Sequence, residues 1–467
     1  MDARKLVIVE VNEIPRRVVE DVADTGRAPF LARLLADGAV AETVVDTPDA
    51  LELYPSQTWA SLNTGVGYEK HGVYWYGDPK PEDYPFYWQL AASAGRSIGL
   101  VNTLHSSPVL ERCGQGDVRF AIPDCFSSDP TTIPAYLTGF QAANASLTAA
   151  NGRTAGLGRA PAAAVGLIRA LPRLGLRPRT AADLAALVAG VATGRVPRER
   201  LRTGQFLLMQ DLFSHLLGRE SPDLGIMFTN HVAAAMHRYW YASYPDDFSS
   251  EHYDRSWIAR YHDEIPNAVA VLDRYLRRLY EWCVITDRTL LVLSSMGQGP
   301  SRGLQSDGGL EAVVTDPLRF LRGLGIEADF EILGSMVPQI TVECRTEAAA
   351  AEVAGRLANV DIGQVFWDVD GSDTVVTLTY HLTPVSNDSV RIGGSRRNAE
   401  DLGVQIHQVD DHSSGRHVPE GLLAVANSPR FKPPSGGLAA AAEVAPAILA
   451  HLGVEPAAHH IEPTFRI

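Results

Sequence analysis

Residues 6–11 (LVIVEV) are an almost unbroken apolar run, closed by polar Asn12 and Glu13 and then Pro15. Such a run predicts a parallel strand buried on both faces, with polar groups at its carboxyl end. Leu31, Leu34 and Leu35 follow at helical spacing, and Gly38 closes that element. Further apolar runs at 97–101, 224–228 and 289–293 also lead into small or polar residues. Strands and helices that alternate in this way predict an α/β protein: a central, mostly parallel sheet flanked by helices. Two segments depart from the pattern. Residues 130–221 are Ala-rich amphipathic pieces joined by Gly and Pro, with Arg169, Arg173, Arg177 and Arg179 between them, and predict a helical insertion. Residues 328–395 carry the runs ITVEC, EAAAAEVAGRLA and VVTLTY, and predict a small α+β insertion, ferredoxin-like in outline. The chain therefore divides into core at 1–129, helical insertion at 130–221, core at 222–327, α+β insertion at 328–395 and core at 396–467. The helical insertion reads equally as a cap over a site or as a packing or dimer helix pair.

The densest candidate chemistry is LYPSQTWASLNTGVGYEKHG at 53–72. An extended Leu53-Tyr54-Pro55 entry followed by small and hydroxyl residues suits a strand-to-helix elbow. There Thr58 would cap the helix, and an anion would meet free N–H groups and the positive end of the helix dipole. Thr58 would attack such an anion if a metal ion lowered its hydroxyl pKa; otherwise it is an ordinary cap. Strand ends are where open α/β sheets bind ligands. On that ground Asn12, His105, and the Thr229-Asn230-His231 turn before His237 and Arg238 are candidates too. Arg238 would clamp a phosphate in two-pronged fashion or form a surface ion pair.

Together these pieces resemble the alkaline phosphatase superfamily, in particular its type I phosphodiesterase/nucleotide pyrophosphatase branch. The matching motifs run in order: the first strand, Pro29 to Gly38, Pro55-Ser56-x-Thr58, Thr64-Gly65, His71-Gly72, residues 222–240, residues 289–300, and GRHVPEGLLAVANSP at 415–429. The tail AAAAEVAPAILAHLGV resembles the family's closing helix. The resemblance implies that Thr58 is a nucleophile carrying a phosphoryl intermediate, and that His237 and His417 are metal ligands. It also implies an Asp at position 12, an Asp at position 233 and an Asp-His pair at 295–296. This chain has Asn12, Ala233, Ser295 and Met296 there. Neutral oxygens and a thioether are poor ligands for a hard or borderline dication. One of the two expected metal sites is therefore lost, unless a carboxylate from Glu10, Glu13, Asp410 or Asp411 takes over. The other keeps His237 and His417, with Asn230 or His231 beside them and Asn12 as a further oxygen donor. The expected cofactor is a divalent metal, zinc in the first place, one ion rather than two.

Composition narrows the partners. The 467 residues are 45% hydrophobic and 21% charged, enough for a large core. A net charge of −14 excludes a nucleic-acid surface. Four cysteines, Cys113, Cys125, Cys283 and Cys344, show no paired spacing. No leader or membrane span is visible, so the expected setting is the cytoplasm, with a small phosphorylated substrate or ligand, no nucleic acid, no membrane, and a homodimer allowed. The reading is a divergent metal-dependent phosphoester hydrolase or phosphotransferase with Thr58 as nucleophile. Two alternatives stand beside it: an inactive relative that binds a phosphorylated ligand, and a structural partner in a biosynthetic complex.

Overall fold

The structure is a computed structural model that describes residues 4–46, 52–114, 116–124, 126–127, 129, 131–149, 173–249, 253–301, 309–336, 338–367, 374–409 and 413–467. Its centre is an eight-stranded sheet. In spatial order the strands are Leu438–Ala440, Val40–Val44, Leu423–Ala426, Arg288–Leu293, Lys5–Val11, Leu224–Thr229, Ile98–Val101 and Val118–Ile122. Only Leu423–Ala426 runs antiparallel to its neighbours; the other pairings are parallel. The expected mostly parallel sheet flanked by helices is what the chain forms.

The first strand shows why. It pairs with Leu224–Thr229 on one side and Arg288–Leu293 on the other, so both of its faces must be apolar. Val7, Val9 and Val11 enter one core layer, beneath helices Arg202–Glu220, His231–Ser243 and Glu264–Ile285. Leu6 and Ile8 enter the other, with Trp59, Tyr87, Trp88 and the closing helix Ala441–His451. A two-residue period thus serves two layers at once. The strand's carboxyl end and those of its two neighbours bring Asn12-Glu13, Asn230 and Ser294-Ser295 to one edge of the sheet.

A third apolar cluster, drawn from Ala312 through Val404, forms beside this core. It packs helix Glu347–Ala358 against an antiparallel sheet ordered Gly363–Trp367, Val375–Tyr380, Gln339–Cys344, Phe330–Leu333. Two strands, one helix and two strands follow each other in sequence, so the ferredoxin-like outline fails on element order. In the helical insertion the described helices are Thr138–Ala149, Pro178–Ala192 and Arg202–Glu220. Among the described residues no helix is long and apolar enough to cross a membrane.

Candidate metal centre

Glu13 lies just past the first strand, where the backbone turns left-handed (φ 60°). That turn aims its carboxylate at two imidazoles. His237 Nε2 is 2.8 Å and His417 Nε2 3.4 Å from Glu13 Oε2, and the ligand atoms of all three residues lie within 4.8 Å of one another. The carboxylate is 3% exposed, while the His237 and His417 side chains keep 34% and 21%, so the group is open on the histidine side.

Each imidazole is oriented from behind. His417 Nδ1 lies 2.6 Å from the Leu53 carbonyl and His237 Nδ1 3.3 Å from the Gly415 carbonyl. A carbonyl can only accept, so Nδ1 carries a proton in both rings and each Nε2 is turned towards the Glu13 carboxylate. Backbone partners of this kind fix the tautomer of metal-binding histidines.

His237 is held by local irregularity. Its helix is broken at Tyr239 (φ −117°). Ser414 covers the break: its amide donates to the His237 carbonyl (2.7 Å) and its hydroxyl to the Arg238 carbonyl (2.9 Å). Gly415 must be glycine for this approach, since a Cβ there would sit 2.6 Å from Gln298 Oε1 and 2.7 Å from the Met236 carbonyl. His417 sits opposite Gln298 in the two-stranded ladder Gly297–Pro300/Gly415–Val418. The Gln298 amide in turn donates to Glu13.

The electrostatics follow from this crowding. Burial alone would raise the Glu13 pKa, but His417 and His237 outweigh it and hold the carboxyl well below its usual range. Burial pushes His417 down, yet Glu13 leaves it raised on balance. Two imidazoles, one ionised carboxylate and an open side fit a divalent cation, which would displace the proton that Glu13 favours on His417.

The remaining sequence candidates lie around this group. Asn12 is saturated: its oxygen accepts from Trp59 Nε1 (2.9 Å), and its amide donates to Glu13 Oε1 (2.6 Å) and Asn230 Oδ1 (2.8 Å). Asn12 and Asn230 thus brace the carboxylate, and a metal could take the Asn12 oxygen only by breaking its bond to Trp59. His231 turns away into the core. It stacks on Phe206 at 3.9 Å, its ring nitrogens lie 2.8 Å from Thr229 Oγ1 and 3.2 Å from the Ala268 carbonyl, and burial lowers its pKa to about 3. Arg238 is buried beside the helix break. His105 donates from Nε2 to the Ser56 carbonyl (2.8 Å) and stacks on Tyr76; burial, with Lys80 nearby, holds its pKa well below the usual histidine range. His71 bonds to Ser61 Oγ (2.8 Å) and the Val73 amide (3.1 Å) and shapes the turn.

Thr58 differs in one respect from the capping role. The elbow helix begins at Pro55, and the Thr58 amide already donates to the Tyr54 carbonyl (3.0 Å). Thr58 therefore sits inside the first turn and cannot cap it. Its hydroxyl is wholly buried, 2.8 Å from Ser295 Oγ. Glu10 points to the other layer, where it accepts a long hydrogen bond from Tyr87 (3.4 Å) and burial raises its pKa to about 8. Asp410 and Asp411 lie outside the described residues. Gln298 had no signal in the sequence beyond its place opposite His417.

No known family profile matches the chain, and no curated protein matches it. Solved structures do. Phosphonoacetate hydrolase from Sinorhizobium meliloti 1021, in complex with phosphonoacetate, is similar over 96% of both chains, at 15% identity and a TM-score of 0.43. Human ectonucleotide pyrophosphatase/phosphodiesterase 5 is similar over 98% of this chain and 97% of its own, at 11% identity and 0.40. The inactive murine protein of that name, in complex with AMP, is similar over the same shares, at 12% and 0.39.

Proposed function

We propose that the chain is a phosphoester hydrolase or phosphotransferase that works with one divalent cation, zinc in the first place, held by Glu13, His237 and His417. The observation that carries this reading is the convergence of those three side chains, with both Nε2 atoms turned inward because backbone carbonyls hold each Nδ1. When bound, such a cation supplies a Lewis acid for a phosphoryl oxygen. The chain's own part is to keep Glu13 ionised, to hold the two imidazoles in orientation, and to place the elbow's first-turn N–H groups beside the Thr58 hydroxyl. Thr58 is the proposed nucleophile. Because Ser295 rather than a carboxylate stands beside it, no second cation is available there to activate the hydroxyl.

Glu13 replaces the missing Asp as the anionic ligand, so the centre is a rearranged single site and not half of an ordinary pair. A small phosphorylated compound is the proposed substrate. The experiment is to measure metal content by plasma mass spectrometry and turnover on a panel of phosphomonoesters, phosphodiesters and phosphonates. One equivalent of metal and activity lost in His417→Ala support the reading. A metal-free chain with no activity after zinc is added would sink it.

A second reading, ligand binding without turnover, is favoured by the complete burial of Thr58 against Ser295. It expects AMP or phosphonoacetate to bind while every ester in the panel stays intact.

A further inference from the structure

Away from the strand ends, the helical insertion meets the core along a cleft of about 310 Å³ between helices Pro178–Ala192, Arg202–Glu220 and Glu264–Ile285. Four arginines line it, Arg179, Arg274, Arg277 and Arg278, against the carboxylates of Asp183 and Glu281. This is a positive cavity in a chain of net charge −14.

Its cations are poorly neutralised. Arg179 and Arg277 meet Asp183 (3.3 Å) and Glu281 (3.1 Å) only as neighbours one helical turn away, surface pairs that water and salt screen. Arg278 is held from behind by Asp211 (3.3 Å) and Gln210 (3.2 Å). Arg274 makes no hydrogen bond or ion pair among the described residues. Arg177 closes in on Arg278 as well: burial, then the charge of Arg177, lowers the Arg278 pKa. Like charges gathered round a cavity repel one another, and a bound anion converts that repulsion into attraction. Guanidinium groups are planar two-pronged donors matched to phosphate oxygens. The cleft has the volume of a small-ligand site, roughly 300 Å³ or more.

We propose that this cleft binds a small phosphate-bearing polyanion, which fastens the helical insertion to the core at a place sharing no residue with the Glu13–His237–His417 centre. The ligand bridges Arg179 of the insertion and Arg274 of the long core helix, with Arg278 beneath it.

Titration calorimetry of the full chain with inorganic pyrophosphate, in chelator so that no cation competes, tests the proposal. One site is expected, weakened at least tenfold in the Arg179→Ala/Arg274→Ala double variant and retained when His237 and His417 are both changed to Ala. Arg179 and Arg274 are exposed, so folding does not depend on them; Arg274→Lys, which keeps the charge but loses the fork, should fall between. Absent binding, binding indifferent to the arginines, or binding lost with the histidines would each overturn the site. A polyglutamate peptide held as tightly through the same arginines would overturn the phosphate assignment.

Discussion

The hydroxyls of Thr58 and Ser295 stand 2.8 Å apart, both wholly buried. Each satisfies the other, so neither carries charge and neither gathers a cation. In the proposed one-metal centre, that neutral pair stands where a second cation would need a charged ligand. Restoring a carboxylate should therefore change stoichiometry: Ser295→Asp is expected to raise zinc content from one to two per chain, read by plasma mass spectrometry. A content still at one would show that more than the missing charge closes the second site.

Thr58→Ala should abolish turnover on any substrate found, while Thr58→Ser should keep part of it, since both hydroxyls attack. Stability should fall by about 1 kcal/mol, from the lost hydrogen bond and a buried Ser295 left without its partner. Full activity in Thr58→Ala would end its assignment as nucleophile, and chemical denaturation separates that outcome from simple unfolding.

Among the ligands the expected order is set by what each residue does. Glu13→Gln, His237→Ala and His417→Ala should each reduce bound metal to a small fraction of the wild-type content. Asn12→Ala should leave it near one, because the Asn12 oxygen is already given to Trp59. Metal loss in Asn12→Ala equal to that in His417→Ala would make Asn12 a ligand.

Buried histidines weaken the fold at acid pH, His231 and His71 among them. Burial lowers His231 to about 3 and His71 to about 4, against about 6.5 in the unfolded chain. Between these values the unfolded chain binds protons that the folded chain refuses. Their contribution is thus complete above pH 6.5 and is lost as the pH falls towards 4. At pH 5 each costs about 2 kcal/mol relative to pH 7, which urea unfolding at the two pH values should record. The His231→Gln variant should show the shallower slope; an unchanged slope would mean that His231 reaches water.

Glu10 acts with the opposite sign. Its carboxyl, raised to about 8 by burial, stays protonated in the fold while the unfolded group ionises near 4.5. Stability therefore falls as the pH rises from 4.5 through 8. Glu10→Gln, which mimics the protonated acid, should gain on the wild type by a growing margin over that range, reaching a few kcal/mol at pH 8. A constant margin would refute the shift.

The sheet was legible because LVIVEV must be buried on both faces, and its polar terminus marks which end of the sheet carries chemistry. His237 and His417 came only through the family resemblance, and the structure brings them together. The choice of carboxylate was not: Glu10 and Glu13 are three residues apart, and only the left-handed turn at Glu13 decides which one meets the imidazoles. His231 was misleading for a similar reason. It follows a strand end like a ligand, but the helix that it begins rotates it onto Phe206. Ser414 and the Leu53 carbonyl, which aim the two histidines, act through backbone groups that leave no compositional trace.

The Glu13–His237–His417 group joins the first strand, a mid-chain helix and a late two-stranded ladder. A cation there would act as a clasp between segments far apart along the chain. Its binding free energy would count directly towards the native state, growing by about 1.4 kcal/mol for each tenfold rise in free metal above the dissociation constant. Metal supply would then govern how long the chain survives as well as how fast it works, and starvation for that ion would register first as protein loss.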